Sequence, residues 1–200
     1  MNVIRHLQTQ VALQQLAMET YNDAMAAAAS SMFWGDETLV RSLGQVDNPE
    51  LAVRYMLPAC EKKVAVVESM VAEHQAFPIA DIPREALAAY DKWTESLSVI
   101  LARARLQLTC WLDWISNPSS DLSGRIDSLN NAEHESMVAA LAELNRLIER
   151  AGVSGAPWQS ITCAAFNDVR GRIGLPPLAE LDFKARQLQG AAGGRGRFFE

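Results

Sequence analysis

The sequence is short of most groups that carry catalysis. It has three histidines, His6, His74 and His134, and three cysteines, Cys60, Cys110 and Cys163, which stand 50 and 53 residues apart. An odd count with no CxxC excludes a disulfide framework and a cysteine zinc site. Each cysteine lies among apolar residues in a helix-forming segment and is expected as a reduced, buried thiol. Glycine and proline together make 19 of 200 residues, too few for a low-complexity chain. Uncharged runs are short of what a membrane needs. The longest, Ala151 to Asn167, contains Gly, Pro, Ser and Gln and is not expected to span a bilayer. The start, MNVIRHLQTQ, lacks the continuous apolar core of a signal peptide, so a cytoplasmic protein is expected.

Catalytic motifs are missing in the same way. His134-Glu135-Ser136-Met137-Val138 begins like HExxH, but Val138 stands where the second ligand is required. Helical di-iron sites need paired ExxH motifs. Here Glu73-His74 and Glu133-His134 are merely adjacent, about 100° apart on a helix, and are expected as surface or capping groups. There is no GxSxG elbow and no GxxxxGK[ST] loop, and Gly193-Gly194-Arg195-Gly196 neither follows a strand nor precedes a helix. No catalytic, cofactor or metal residue is assigned, and the chain is not expected to be an enzyme.

What is present is helical periodicity. Hydrophobic residues make 49% of the chain, enough for a core. Ile4, Leu7, Val11, Gln14, Met18, Tyr21 and Met25 step by three and four, predicting a helix that ends near Ser30–Gly35, followed by a short helix over Asp36–Leu43. A second helix opens at Asn48-Pro49 and carries Val53, Leu57, Cys60, Val64, Val67, Val71 and His74 as its stripe, with a kink or a later start at Pro58. A third, Arg84 to Ser116, has Trp93, Leu97, Ile100, Ala104, Leu108, Trp111 and Ile115, widened by Tyr90, Leu101 and Trp114, and is expected at the centre of the bundle. Leu122–Asn130 reads as one short helix and Ala132–Ala151 as the fourth long one, closed by Gly152. Two shorter helices follow, about Trp158–Arg172 and Leu178–Gln189. The expected fold is all-α: an antiparallel bundle of four long helices over residues 1–151, a C-terminal helical subdomain over 152–189 packed on it, and a Gly/Arg tail over 190–200.

Charge is uneven. The net charge is -6, but residues 1–145 carry 10 basic and 19 acidic side chains, while residues 146–200 carry 8 and 5. This disfavours a uniformly basic nucleic-acid binder and suits contact between an acidic body and a basic arm. The tail supplies Arg195 and Arg197 between glycines and ends in Phe198-Phe199, which reads as a docking segment; contact of the same arginines with nucleic-acid phosphate is the weaker alternative. On the third helix Arg103 and Arg105 lie on nearly opposite faces with no acidic residue three or four positions away, so at least one is expected to approach the bundle or a partner. With Asp113 and Trp114 they form a candidate partner face or polar pocket. The leading expectation is a non-catalytic adaptor or structural subunit of a larger protein assembly, such as a phage particle or bacterial machine, forming homo- or hetero-oligomers. The alternatives are a regulator that masks a partner, and a ligand sensor or enzyme with a pocket near Arg103, Arg105, Asp113 and Trp114.

Overall fold

The computed structural model describes residues 2–32, 50, 52–117, 122–152, 162–172 and 175–185. Of these residues 88% are helical, and none forms a strand. Four helices are long: α1 (Val3–Met32), α2 (Leu57–Gln75), α3 (Leu87–Ser116) and α4 (Leu122–Arg150). A shorter α5 (Cys163–Arg172) and a helical turn at 180–185 follow. The short helix expected over Asp36–Leu43 lies outside the described residues, as does the tail.

Local chemistry sets the ends. The Asn2 side chain accepts a hydrogen bond from the Ile4 N–H at 2.9 Å, capping α1. Pro58 sits in the first turn of α2, where its missing N–H is tolerated, and the backbone just before it, Ala52–Met56, widens into a π-helical turn. Two 3-10 turns, Ile79–Asp81 and Arg84–Ala86, lead into α3. Gly152 takes φ +68° and its N–H bonds back to the Glu149 carbonyl, which ends α4. The break expected near Asn130 is absent, and α4 is continuous from Leu122. Asparagine costs only a few tenths of a kcal/mol in a helix interior, and such a penalty is readily overridden by the helix around it.

Helices adjacent in sequence touch: α1 packs on α2, α2 on α3, and α3 on α4, while α1 also meets α4 and α5. The main core joins Leu7, Leu16, Val67, Met70, Trp93, Ile100, Leu144 and Ile148, with Phe166 and Phe183 added from the C-terminal segment. Full burial of each such side chain stabilises by about 1.5–3 kcal/mol. A second cluster at the far end of α1 holds Tyr21, Met56, Cys60, Trp111 and Trp114.

Among the described side chains the most enclosed stretch lies in α1, not in α3. Every residue from His6 to Ala17 is buried except Thr9 and Gln15, which are half-buried. The third helix keeps an open face at Ser98, Ala102, Leu106 and Thr109. Periodicity of apolar residues understates the enclosure of α1 because Gln8, Gln10 and Gln14 are also inside. At the C-terminal end Asn167 clamps the chain: its Oδ1 accepts from the Leu178 N–H at 2.8 Å and its Nδ2 donates to the Leu178 carbonyl at 2.9 Å. Arg170 Nε donates to the Pro176 carbonyl at 2.7 Å, and the rings of Phe166 and Phe183 lie 5.2 Å apart.

Candidate functional site

One face of α1 carries His6, Gln10 and Gln14 at steps of four, so the polar heads line up along the helix and point into the bundle. Around this face the other long helices supply polar groups of their own, in two layers.

The first layer is a neutral relay. Thr94 Oγ1 donates to the Tyr90 carbonyl at 2.9 Å, so toward His74 it accepts, and His74 Nε2 lies 2.8 Å away. His74 therefore carries its proton on Nε2 and accepts on Nδ1, and the donor to that Nδ1 is His6 Nε2 at 3.0 Å. Tyr90 closes the layer by donating to the His74 carbonyl at 2.7 Å. His6 stacks on Phe77 and His74 on Tyr90, with centroids 4.5 and 4.1 Å apart. Burial and the neighbouring His6 pull His74 down to about 4, and burial also lowers His6, with Glu73 opposing. Both rings are neutral near pH 7. His74, expected at the surface, is 2% exposed. The physical reason is its position in phase with Met56, Cys60, Lys63, Val67 and Met70.

The second layer is charged. Lys63 of α2 and Arg103 of α3 both enter the core. Arg103 Nη1 pairs with Glu133 Oε2 of α4, and Gln14 Nε2 donates to Glu133 Oε1 at 2.6 Å. Glu133, also expected at the surface, is 5% exposed; it lies on the stripe that continues through Met137, Ala140 and Leu144. Lys63 Nζ donates to Gln107 Oε1 at 3.2 Å and to the Met18 sulfur at 3.4 Å, and sits 5.4 Å from the Tyr21 ring centroid. Arg103 Nη1 also reaches the Met18 sulfur, at 3.7 Å. Burial, then repulsion from Arg103, pulls Lys63 down to about 7, while Cys60 opposes. Burial pushes the Cys60 thiol and the Tyr21 phenol up to about 12, so both stay neutral. Trp111 Nε1 donates to the Tyr21 hydroxyl at 3.2 Å and ends the column.

Of the residues singled out from sequence, Arg103 alone joins this cluster. Arg105 points outward and forms an exposed ion pair with Glu68 at 2.6 Å. Asp113 is exposed, and Trp114 is buried edge-on against Trp111. The four do not make one pocket. Arg195, Arg197, Phe198 and Phe199 lie outside the described residues. Lys63, Gln107 and Glu133 were missed, and Gln14 was read only as a polar residue on the α1 stripe; for Lys63 the signal was available, because the buried stripe that enters α2 from Met56 runs Cys60, Lys63, Val67, Met70 and His74, one position out of register with Val53, Leu57, Val64 and Val71.

Among the described residues no three His, Cys, Asp or Glu side chains gather as a metal ion requires, and no helix is long and apolar enough to cross a membrane. The charged layer gathers two cationic donors, one carboxylate and two amides in a low-dielectric setting. No family model, curated protein or solved structure matches this chain.

Proposed function

We propose that this protein is a helical-bundle ligand-binding protein that works by sensing or carrying a small polar molecule in its core rather than by catalysis. One observation carries the reading. Lys63, Arg103, Glu133, Gln14 and Gln107 converge from all four long helices into the interior, although each isolated charge costs several kcal/mol to bury. In this reading the four helices run antiparallel, supported for α1, α2 and α3 by the order of contacts. His6 meets His74 while Met18 meets Lys63, and Lys63 meets Gln107 while His74 meets Thr94. A reducing, cytoplasmic setting fits Cys60 and Cys110, both buried and outside any disulfide. The test is a thermal-shift screen with a metabolite library on the parent chain and on Lys63→Met. Hits that raise the parent's melting temperature and lose their effect in the variant support the reading. A library with no such hit contradicts it.

A second reading, a structural or adaptor subunit acting through protein contacts, is favoured by the outer face of α3, where Leu106 and Leu112 are 40% and 48% exposed. Light scattering on the parent and on Leu106→Glu/Leu112→Glu, alone and with host extract, tests it. Loss of an assembly in the double variant supports this reading, and identical sizes oppose it.

A further inference from the structure

Independently of the ligand-binding reading, we infer that the charged layer is a seam at which the aromatic end of the bundle opens as a unit when Lys63 takes up a proton, while the main core stays closed. The layout of the core carries this. The buried apolar side chains form two clusters, and the charged layer lies where they meet. On α1 the main cluster runs to Ala17 and the smaller one starts at Tyr21, with Met18 between them. On α2 Cys60 belongs to the smaller cluster and Val64 packs on the main one, with Lys63 between. On α3 Ala104 belongs to the main cluster and Leu108 packs on the smaller, with Arg103 and Gln107 at the junction. Elements joined with few buried apolar contacts open at lower cost than a continuous core. The device at this seam is Lys63. Its contacts are Gln107 Oε1, the Met18 sulfur and the Tyr21 ring, none of them anionic. They suit a neutral amine, whereas an ammonium is a strongly hydrated point charge with three donors. The titratable and charged groups around it are Tyr21 from α1, Cys60 from α2 and Arg103 from α3, with Glu133 of α4 held against Arg103. Arg103 repels the ammonium, and Tyr21 and Cys60 stay neutral. Burial brings Lys63 to about 7, and contact with water returns it toward 10.5. Between those values opening takes up one proton and is favoured as pH falls; below pH 7 the effect levels off.

The test is backbone hydrogen exchange of the full chain at pH 7, 8 and 9, under conditions where closing outpaces chemical exchange. Exchange from an open state follows hydroxide and rises about tenfold per pH unit, and uptake of one proton on opening cancels that rise. After correction for sequence, the amides of Tyr21, Cys60, Trp111 and Trp114 are expected to exchange at nearly the same rate at all three pH values. They are also expected to exchange faster than those of Leu13, Met70, Leu97 and Ile100. Low urea speeds the second group more than the first, because whole-chain unfolding exposes more surface than opening of one end. In Lys63→Met the first group slows at pH 7 and regains the tenfold rise per pH unit. One common opening free energy for both groups overturns the inference, since the bundle then opens only as a whole. A tenfold rise per pH unit at the aromatic end of the parent also overturns it, as does a flat profile that survives in Lys63→Met.

Discussion

Lys63 is the residue whose setting departs furthest from that of an ordinary lysine. The residue is 2% exposed on a stripe whose other members, His74 aside, are apolar or sulfur-containing, and burial brings it to about 7 from 10.5. Between those values the unfolded chain holds a proton that the folded chain has released. Stability therefore rises with pH across that window, and Lys63 opposes folding most below pH 7. Lys63→Met is expected to be more stable than the parent at pH 7, with the gap closing by about 1 kcal/mol per pH unit toward pH 10. Denaturant unfolding of both proteins at pH 7, 8 and 9 checks this, and a gap that does not change with pH contradicts it. The histidines behave in the opposite pH range. His74 is held near 4 and His6 below its usual value, so the relay is stabilising above pH 6.5 and is lost as pH falls toward 4. Nitrogen chemical shifts are expected to report the neutral Nε2–H form of His74 down to pH 5 and a His6 midpoint below 6.5. A midpoint near 6.5 for His74 rules the relay out.

At the scale of the helix, α1 and α4 show what the buried polar groups do to stability. Gln10 is fully buried, and neither its amide nitrogen nor its oxygen has a hydrogen-bond partner. Gln10→Leu is therefore expected to stabilise the fold by about 1–3 kcal/mol, measured as unfolding free energy. A loss of stability shows that the amide makes contacts that hold α1 in place. On α4, Glu133 is the only carboxylate paired with Arg103 among the ion pairs of the described residues. Glu133→Leu removes the carboxylate that faces the buried guanidinium, and a loss of about 3–5 kcal/mol is expected. The contrast between these changes explains how far the elements were legible. The long helices follow from three-and-four spacing and from Pro58, Pro83 and Gly152; Pro49 lies outside the described residues. The enclosure of α1 and the continuity of α4 do not, because glutamines inside and asparagines within a helix carry the same letters as surface residues. Lys63 and Glu133 were legible only as charges in phase with an apolar stripe, and the α2 register that exposes this lies one residue from the more hydrophobic-looking choice.

For the whole molecule, the proposed function implies that the apolar bundle keeps a charged layer through all four long helices for binding and not for folding. The sequence says only that at least one of Arg103 and Arg105 turns inward, because neither has an acidic residue three or four positions away on its own helix; it does not choose Arg103. Its partners Glu133 and Met18 lie 30 and 85 residues away and meet it only once the bundle closes. That separation is why the site as a unit was not readable. The direct measurement is the unfolding free energy of the combined variant Lys63→Met, Arg103→Met, Glu133→Leu and Gln14→Leu, which replaces the layer by apolar groups of similar size. The account predicts stability equal to the parent's or higher by about 1–4 kcal/mol, together with loss of every ligand-induced shift. A variant that unfolds, or is less stable by several kcal/mol, would show that the charged layer holds the fold together and would contradict the central claim.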